Sequence, residues 1–182
     1  MKALVVILIL LLIFVLLQPG LGFKSQKPAL YAGTGPAFDI RQHLSGDIIS
    51  EGMIYGPRGH VTSRFVAQMK GTWNGDTGTL SEDFTYDTGN TQRREWRLTM
   101  GENGAFTAEA DDIIGIATGQ HSGATVQMSY KIRLPEASGG HVLNVTDWLY
   151  LMENGTVLNR SELRKFGIKV AELVAVMRRV ED

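Results

Sequence analysis

Hydrophobic and polar residues alternate one by one along most of the chain, the period of a strand with one buried and one wet face. Thr125–Leu134 is the clearest case. Val126, Met128, Tyr130, Ile132 and Leu134 share one face, and Gln127, Ser129, Lys131 and Arg133 the other. Val61–Trp73 repeats the pattern with Val61, Phe65, Ala67, Met69 and Trp73. Thr79–Asp87 turns Leu80, Glu82, Phe84 and Tyr86 inward, and Thr91–Met100 does so with Arg94, Trp96, Leu98 and Met100. The nine predicted strands are Asp47–Tyr55, Val61–Gly71, Thr79–Asp87, Thr91–Met100, Ala105–Asp112, Thr125–Leu134, His141–Met152, Thr156–Leu163 and Ile168–Met177. The last also fits a helix through Val170, Val174 and Met177, but its β-branched content favours a strand. Breaks such as Gly56-Pro57-Arg58-Gly59, Asn74-Gly75-Asp76, Gly89-Asn90, Gly139-Gly140 and Asn154-Gly155 carry the residues of tight turns.

So many consecutive antiparallel strands leave free edges unless the sheet closes on itself. The fold expected is therefore all-β: an antiparallel up-and-down, lipocalin-like barrel of about eight to ten strands. An open, strongly curved sheet or a sandwich is the alternative. Phe38–Leu44 reads as one helical turn ahead of the first strand.

The N-terminus follows a different rule. After Lys2, the fifteen residues Ala3–Leu17 have no polar side chain. As a helix they span about 22 Å, short of the roughly 30 Å hydrocarbon core. Gln18, Pro19 and Gly20 interrupt the run, and small residues at Gly20 and Gly22 resemble a weak cleavage site. Residues 1–23 are thus expected to be a signal peptide or signal anchor, 24–37 a linker, and 38–182 the barrel domain, exported from the cytoplasm.

Composition narrows function mainly by exclusion. With 18 Lys+Arg against 19 Asp+Glu, the net charge of -1 offers no global basic field for nucleic acid. The absence of cysteine removes disulfides, thiol nucleophiles and cysteine-held metal or iron–sulfur sites. His43, His60, His121 and His141 lack metal-ligand spacing, and Glu82-Asp83 and Asp111-Asp112 point to opposite faces on a strand. No nucleophile elbow or phosphate-binding loop is present. A non-enzymatic protein without cofactor or metal is expected.

The informative residues are polar ones on apolar faces. Glu82 and Arg94 each share a row with aromatics, so each must be paired or solvated. They read either as an internal ion pair that fixes register or as an anchor for a ligand headgroup. Tyr86, Phe84 and Trp96 are expected to cluster across the Gly89-Asn90 hairpin. If Asn154-Gly155 forms a two-residue turn, Tyr150 opposes Asn159, Trp148 opposes Ser161, and Asp147 lies near Arg160 as a second ion pair. Glu82, Tyr86, Arg94, Trp96, Trp148 and Tyr150 are the candidate ligand-binding residues.

The runs Tyr31-Ala32-Gly33-Thr34, Gly71-Thr72-Trp73-Asn74-Gly75, Glu82-Asp83-Phe84-Thr85-Tyr86-Asp87, Arg94-Glu95-Trp96, Asp147-Trp148-Leu149-Tyr150-Leu151, Asn159-Arg160-Ser161 and Lys165-Phe166-Gly167 resemble the bacterial family known as domain of unknown function 3833. The resemblance spans Tyr31 to Val176. It implies a bacterial envelope protein with a small β domain, and no activity. Many such proteins look like lipoproteins, which a chain without cysteine cannot be. The function expected is a membrane-tethered barrel in the periplasm that binds a lipid, fatty acyl chain or other small apolar ligand. The alternative is a structural or protein-interaction module with a filled core. The partners expected are the membrane, through the N-terminal segment, and that ligand.

Overall fold

The computed structural model describes residues 2–17 and 22–180. Gln18, Pro19 and Gly20, where the apolar run is expected to break, lie outside the described residues. Helix α1 (Lys2–Leu17) is exposed over Lys2–Phe14. No helix among the described residues is long and apolar enough to cross a membrane.

Ten antiparallel strands follow: β1 (Gly46–Tyr55), β2 (Val61–Asn74), β3 (Thr77–Tyr86), β4 (Thr91–Met100), β5 (Ala105–Glu109), β6 (Ala117–Ser122), β7 (Thr125–Arg133), β8 (Val142–Leu151), β9 (Val157–Lys165) and β10 (Ile168–Arg179). Each pairs with its neighbour in sequence, and β1 pairs with β10 to close the barrel. The lipocalin-like closed barrel expected from the alternation is therefore the fold. The segment from Ile168 is a strand, with a register shift between Lys169 and Ala171 that brings Leu173, Ala175 and Met177 inside.

Two strand readings need correction. Ala105–Asp112 stops at Glu109, and the next residues form a loop. β6 is also missing from the strands that alternation predicts. Its inward positions are Ala117 and Gly119, too small to register as an apolar row, because the Phe106 ring fills that space. A Cβ on Gly119 would lie 2.1 Å from the Phe106 ring.

One end of the barrel is plugged. Asp39 caps the single turn α2 (Ile40–His43) by accepting a hydrogen bond from the Arg41 amide at 2.9 Å. Phe38, Ile40 and Leu44 are buried there in the core cluster with Leu80, Leu98 and Phe106. Gly71 makes this possible, since a Cβ on it would sit 1.8 Å from the Leu44 carbonyl oxygen. The opposite end, the mouth, is ringed by the turns after β1, β3, β7 and β9 and by the loop 110–116.

Residues 22–34 lie against the barrel wall. Phe23 is buried beneath the Arg160 guanidinium, 5.1 Å from the ring centroid. Tyr31 packs on Trp148 and Tyr150 at 5.4 and 6.0 Å between ring centroids. Gln26 accepts hydrogen bonds from both the Tyr31 and Tyr150 hydroxyls at 2.6 Å.

Candidate functional site

Halfway along the lumen, polar side chains interrupt the apolar lining. Glu82 on β3 stands directly opposite Arg94 on β4. The Arg94 Nη1 donates to Glu82 Oε2 at 3.5 Å, a long contact. The closer partner is Asp112, which takes Arg94 Nε at 3.0 Å and Nη2 at 2.7 Å in a two-pronged clasp. The guanidinium lies between the rings of Phe84 and Trp96, 6.0 and 5.6 Å from their centroids.

Backbone geometry explains how Asp112 reaches this place. β5 ends opposite Arg97, whereas β4 continues toward the mouth to Thr91. The loop 110–116 covers the gap and is pinned to β7, where the Arg133 amide donates to the Asp112 carbonyl and the Ile114 amide to the Lys131 carbonyl, both at 2.8 Å. A residue expected at the end of a strand is thereby aimed inward by a loop.

Across the lumen, Asp147 on β8 accepts hydrogen bonds from Ser161 Oγ at 2.6 Å and from Asn159 Nδ2. This differs from the expected hairpin. The β8–β9 connection is a three-residue loop, Glu153-Asn154-Gly155, with Gly155 left-handed and the Met152 amide donating to the Thr156 carbonyl at 2.8 Å. The register is therefore one residue off the two-residue turn: Asp147 opposes Ser161, Trp148 opposes Arg160 and Leu149 opposes Asn159. The expected Asp147–Arg160 pair does not form. Arg160 points outward and pairs with Glu172 at 2.7 Å.

The six candidate residues consequently fall into two groups. Glu82, Tyr86, Arg94 and Trp96 line the lumen. Trp148 and Tyr150 stand on the outer wall. Trp148 is 1% exposed, with the Tyr31 ring packed against it. The aromatic cluster is also rearranged: Trp96 opposes Leu80 and meets Tyr130 at 5.2 Å, while Phe84 and Tyr86 gather on Phe65.

Among the described residues, the lumen holds three acidic side chains, Glu82, Asp112 and Asp147, against the one guanidinium of Arg94. Burial pushes the Glu82 carboxyl up to about 7, with Asp147 and Asp112 adding to the rise and Arg94 opposing it. Burial also raises Asp147, against the hydrogen bonds from Ser161 and Asn159. Burial works against the charge on Arg94, but Glu82 and Asp112 outweigh it and hold the group cationic. Burial raises the Tyr130 hydroxyl well above its ordinary value.

Space remains around this cluster. Three cavities that share walls follow the barrel axis. The one near the plug is about 60 Å³, the one at the polar cluster about 80 Å³ and the one at the mouth about 130 Å³. Ile54, Phe65, Leu163 and Leu173 help to wall the mouth cavity, and Arg94 and Tyr130 are at its inner end. Among the described residues, no group of three His, Asp or Glu side chains converges to hold a metal ion.

The family model described as "Protein of unknown function (DUF3833)" matches residues 17–179. The chain belongs to this family. A search of curated proteins found no match for this DUF3833 protein. Among solved structures it is similar to the S-type phycobiliprotein lyase CPES from Guillardia theta, with a TM-score of 0.59 and 6% identity over 86% of this chain and 99% of that one. It is also similar to Rv2717c from M. tuberculosis, with a TM-score of 0.56 and 13% identity over 81% and 99% of the two chains. At these identities the DUF3833 protein shares the barrel plan with both, and the likeness carries no residue roles.

Proposed function

We propose that this DUF3833 protein is a non-catalytic, membrane-tethered barrel of the bacterial cell envelope that takes a small apolar or amphipathic ligand through the mouth. The observation that carries the reading is the unfilled lumen ending on a polar cluster: greasy walls lead to Arg94, Tyr130 and Glu82. This is how a ligand site combines apolar area with a few placed polar groups. Helix α1 supplies the membrane-seeking segment.

The lumen also bounds the ligand. The mouth cavity of about 130 Å³ approaches the ~150 Å³ that accommodates a benzene ring. It falls below the roughly 300–1,000 Å³ of a drug-sized site. A ring or a short branch fits without rearrangement, and a long acyl chain requires the wall side chains to move. The small size is also the observation that favours the second reading, a filled module acting through its surface.

Native mass spectrometry of the full chain, purified from bacterial membranes and released from detergent, separates the two. The ligand reading expects a retained small molecule that disappears when Leu163→Trp fills the mouth cavity, with little change in thermal stability. A wild-type protein that carries no such molecule speaks for the surface module.

A further inference from the structure

The turn between β9 and β10 is built against local preference. Lys165 pairs with Ile168, leaving Phe166-Gly167 as a two-residue turn with φ of 51° and 80°. Left-handed backbone at both positions favours Asn-Gly, and an aromatic residue there is strained. Phe166 is also 90% exposed, and Ile168 beside it 70%. Neither side chain contributes to the core, so the turn gives up backbone ease and solvation together. Loop 110–116, at the same end, exposes Ile116 to 61%. The mouth is thus rimmed by isolated, protruding apolar groups on separate loops.

Charges of both signs stand at each end of the barrel, but they differ in how many are paired. Around the mouth stand Arg58, Arg133 and Lys165, none of which has a carboxylate within ion-pair distance among the described residues. Lys165 touches only the His141 ring nitrogen, at 3.1 Å, and the Phe166 ring. The mouth also carries carboxylates, of which Asp87 and Asp111 are held by Arg64 and Arg97 while Glu136 is exposed; at the plugged end Asp76 is held by Arg41, and Glu102 and Glu153 sit in the turns. Basic groups interleaved with exposed aromatic and aliphatic tips are the chemistry that engages an anionic lipid surface.

The tether brings such a surface within reach. Phe23 is fixed under Arg160, and the six residues from Leu17 to Phe23 span at most about 20 Å. Phe166 is six residues beyond Arg160 along the same strand and turn, also about 20 Å away.

We propose that the mouth end of the barrel rests on an anionic bilayer, with Phe166 and Ile168 at headgroup depth and Arg58, Arg133 and Lys165 against lipid phosphates. The proposal rests on the membrane-tether part of the functional reading and not on the lumen ligand. It directs the mouth toward the phase in which an apolar ligand is dissolved.

The chain has no cysteine, so single labels are clean. The full chain carries an environment-sensitive fluorophore at His60→Cys, on the mouth turn after β1, or at Glu153→Cys, at the far end. Each is reconstituted into vesicles of phosphatidylglycerol and phosphatidylcholine that contain a headgroup-level quencher lipid. The expected result is several-fold stronger quenching at position 60 than at 153, weakened in vesicles of phosphatidylcholine alone. Phe166→Asn, which suits the left-handed turn, should abolish the difference while leaving the melting temperature unchanged or higher. Equal quenching at both positions, or no effect of Phe166→Asn, overturns the proposal and leaves the tether and the ligand reading standing. A chain that does not sediment with vesicles overturns the tether and this proposal together, while the retained-molecule experiment still judges the lumen.

Discussion

Glu82 is a residue whose pH signature falls near neutrality. Its carboxyl titrates near 4.5 when solvated and near 7 in the barrel, chiefly because burial disfavours the anion. Between those values the folded protein holds a proton that the unfolded chain releases. The stability it contributes is complete below about pH 4.5 and is lost as pH rises through about 7. The shift corresponds to at most about 3 kcal/mol. Asp147, also raised, acts with the same sign. Asp39, Asp87 and Glu172 are lowered, so they act in the opposite sense, on the acid side of the carboxylate range. Thermal melts from pH 5 to 8 should therefore show a falling midpoint in the wild type and a clearly shallower fall in Glu82→Gln. An unchanged slope in the variant would assign the pH dependence elsewhere. Glu82 and Arg94 were legible in the sequence because a charge inside a row of aromatics is conspicuous. Asp112 was not. Its inward aim depends on where β5 stops, and that is decided by pairing with β4 and β7 rather than by its neighbours in sequence. Asp147 was hidden by a single-residue register difference, which exchanges the faces of a strand.

At the level of elements, strands with large inward residues were readable and those with small ones were not. β6 shows why: an inward row of alanine and glycine is a response to Phe106 on the neighbouring strand. The same compensation operates between β1 and β2, where Gly52 lies opposite Phe65 and a Cβ on it would meet the ring at 2.5 Å. Gly52→Ala should destabilise the barrel by about 1–3 kcal/mol through overpacking. Adding Phe65→Leu should return much of that loss, giving a clear interaction energy in a denaturant double-mutant cycle. Strictly additive effects would mean that the glycine is needed for its backbone rather than for the ring. Trp148 and Tyr150 illustrate the complementary difficulty. An apolar outer face looks like a cavity lining until the segment that covers it, here residues 22–34, is seen in place.

For the molecule as a whole, closure was inferred from the need to remove free edges, and ten strands joined in sequence order satisfy it. The lumen's size was not inferable, because it depends on how far side chains from opposite walls reach across. The join between β1 and β10 has a temporal consequence. Ile48 finds Arg179 only after more than a hundred intervening residues have been made. Until the final strand leaves the ribosome, the first and ninth strands are both open to pairing with other chains. A nascent chain stopped after Phe166 should accumulate in the insoluble fraction, whereas one ending after Arg179 should resist brief protease treatment. The late arrival of its partner keeps β1 exposed for most of synthesis, and β10, Ile168–Arg179, is the strand that shuts that window.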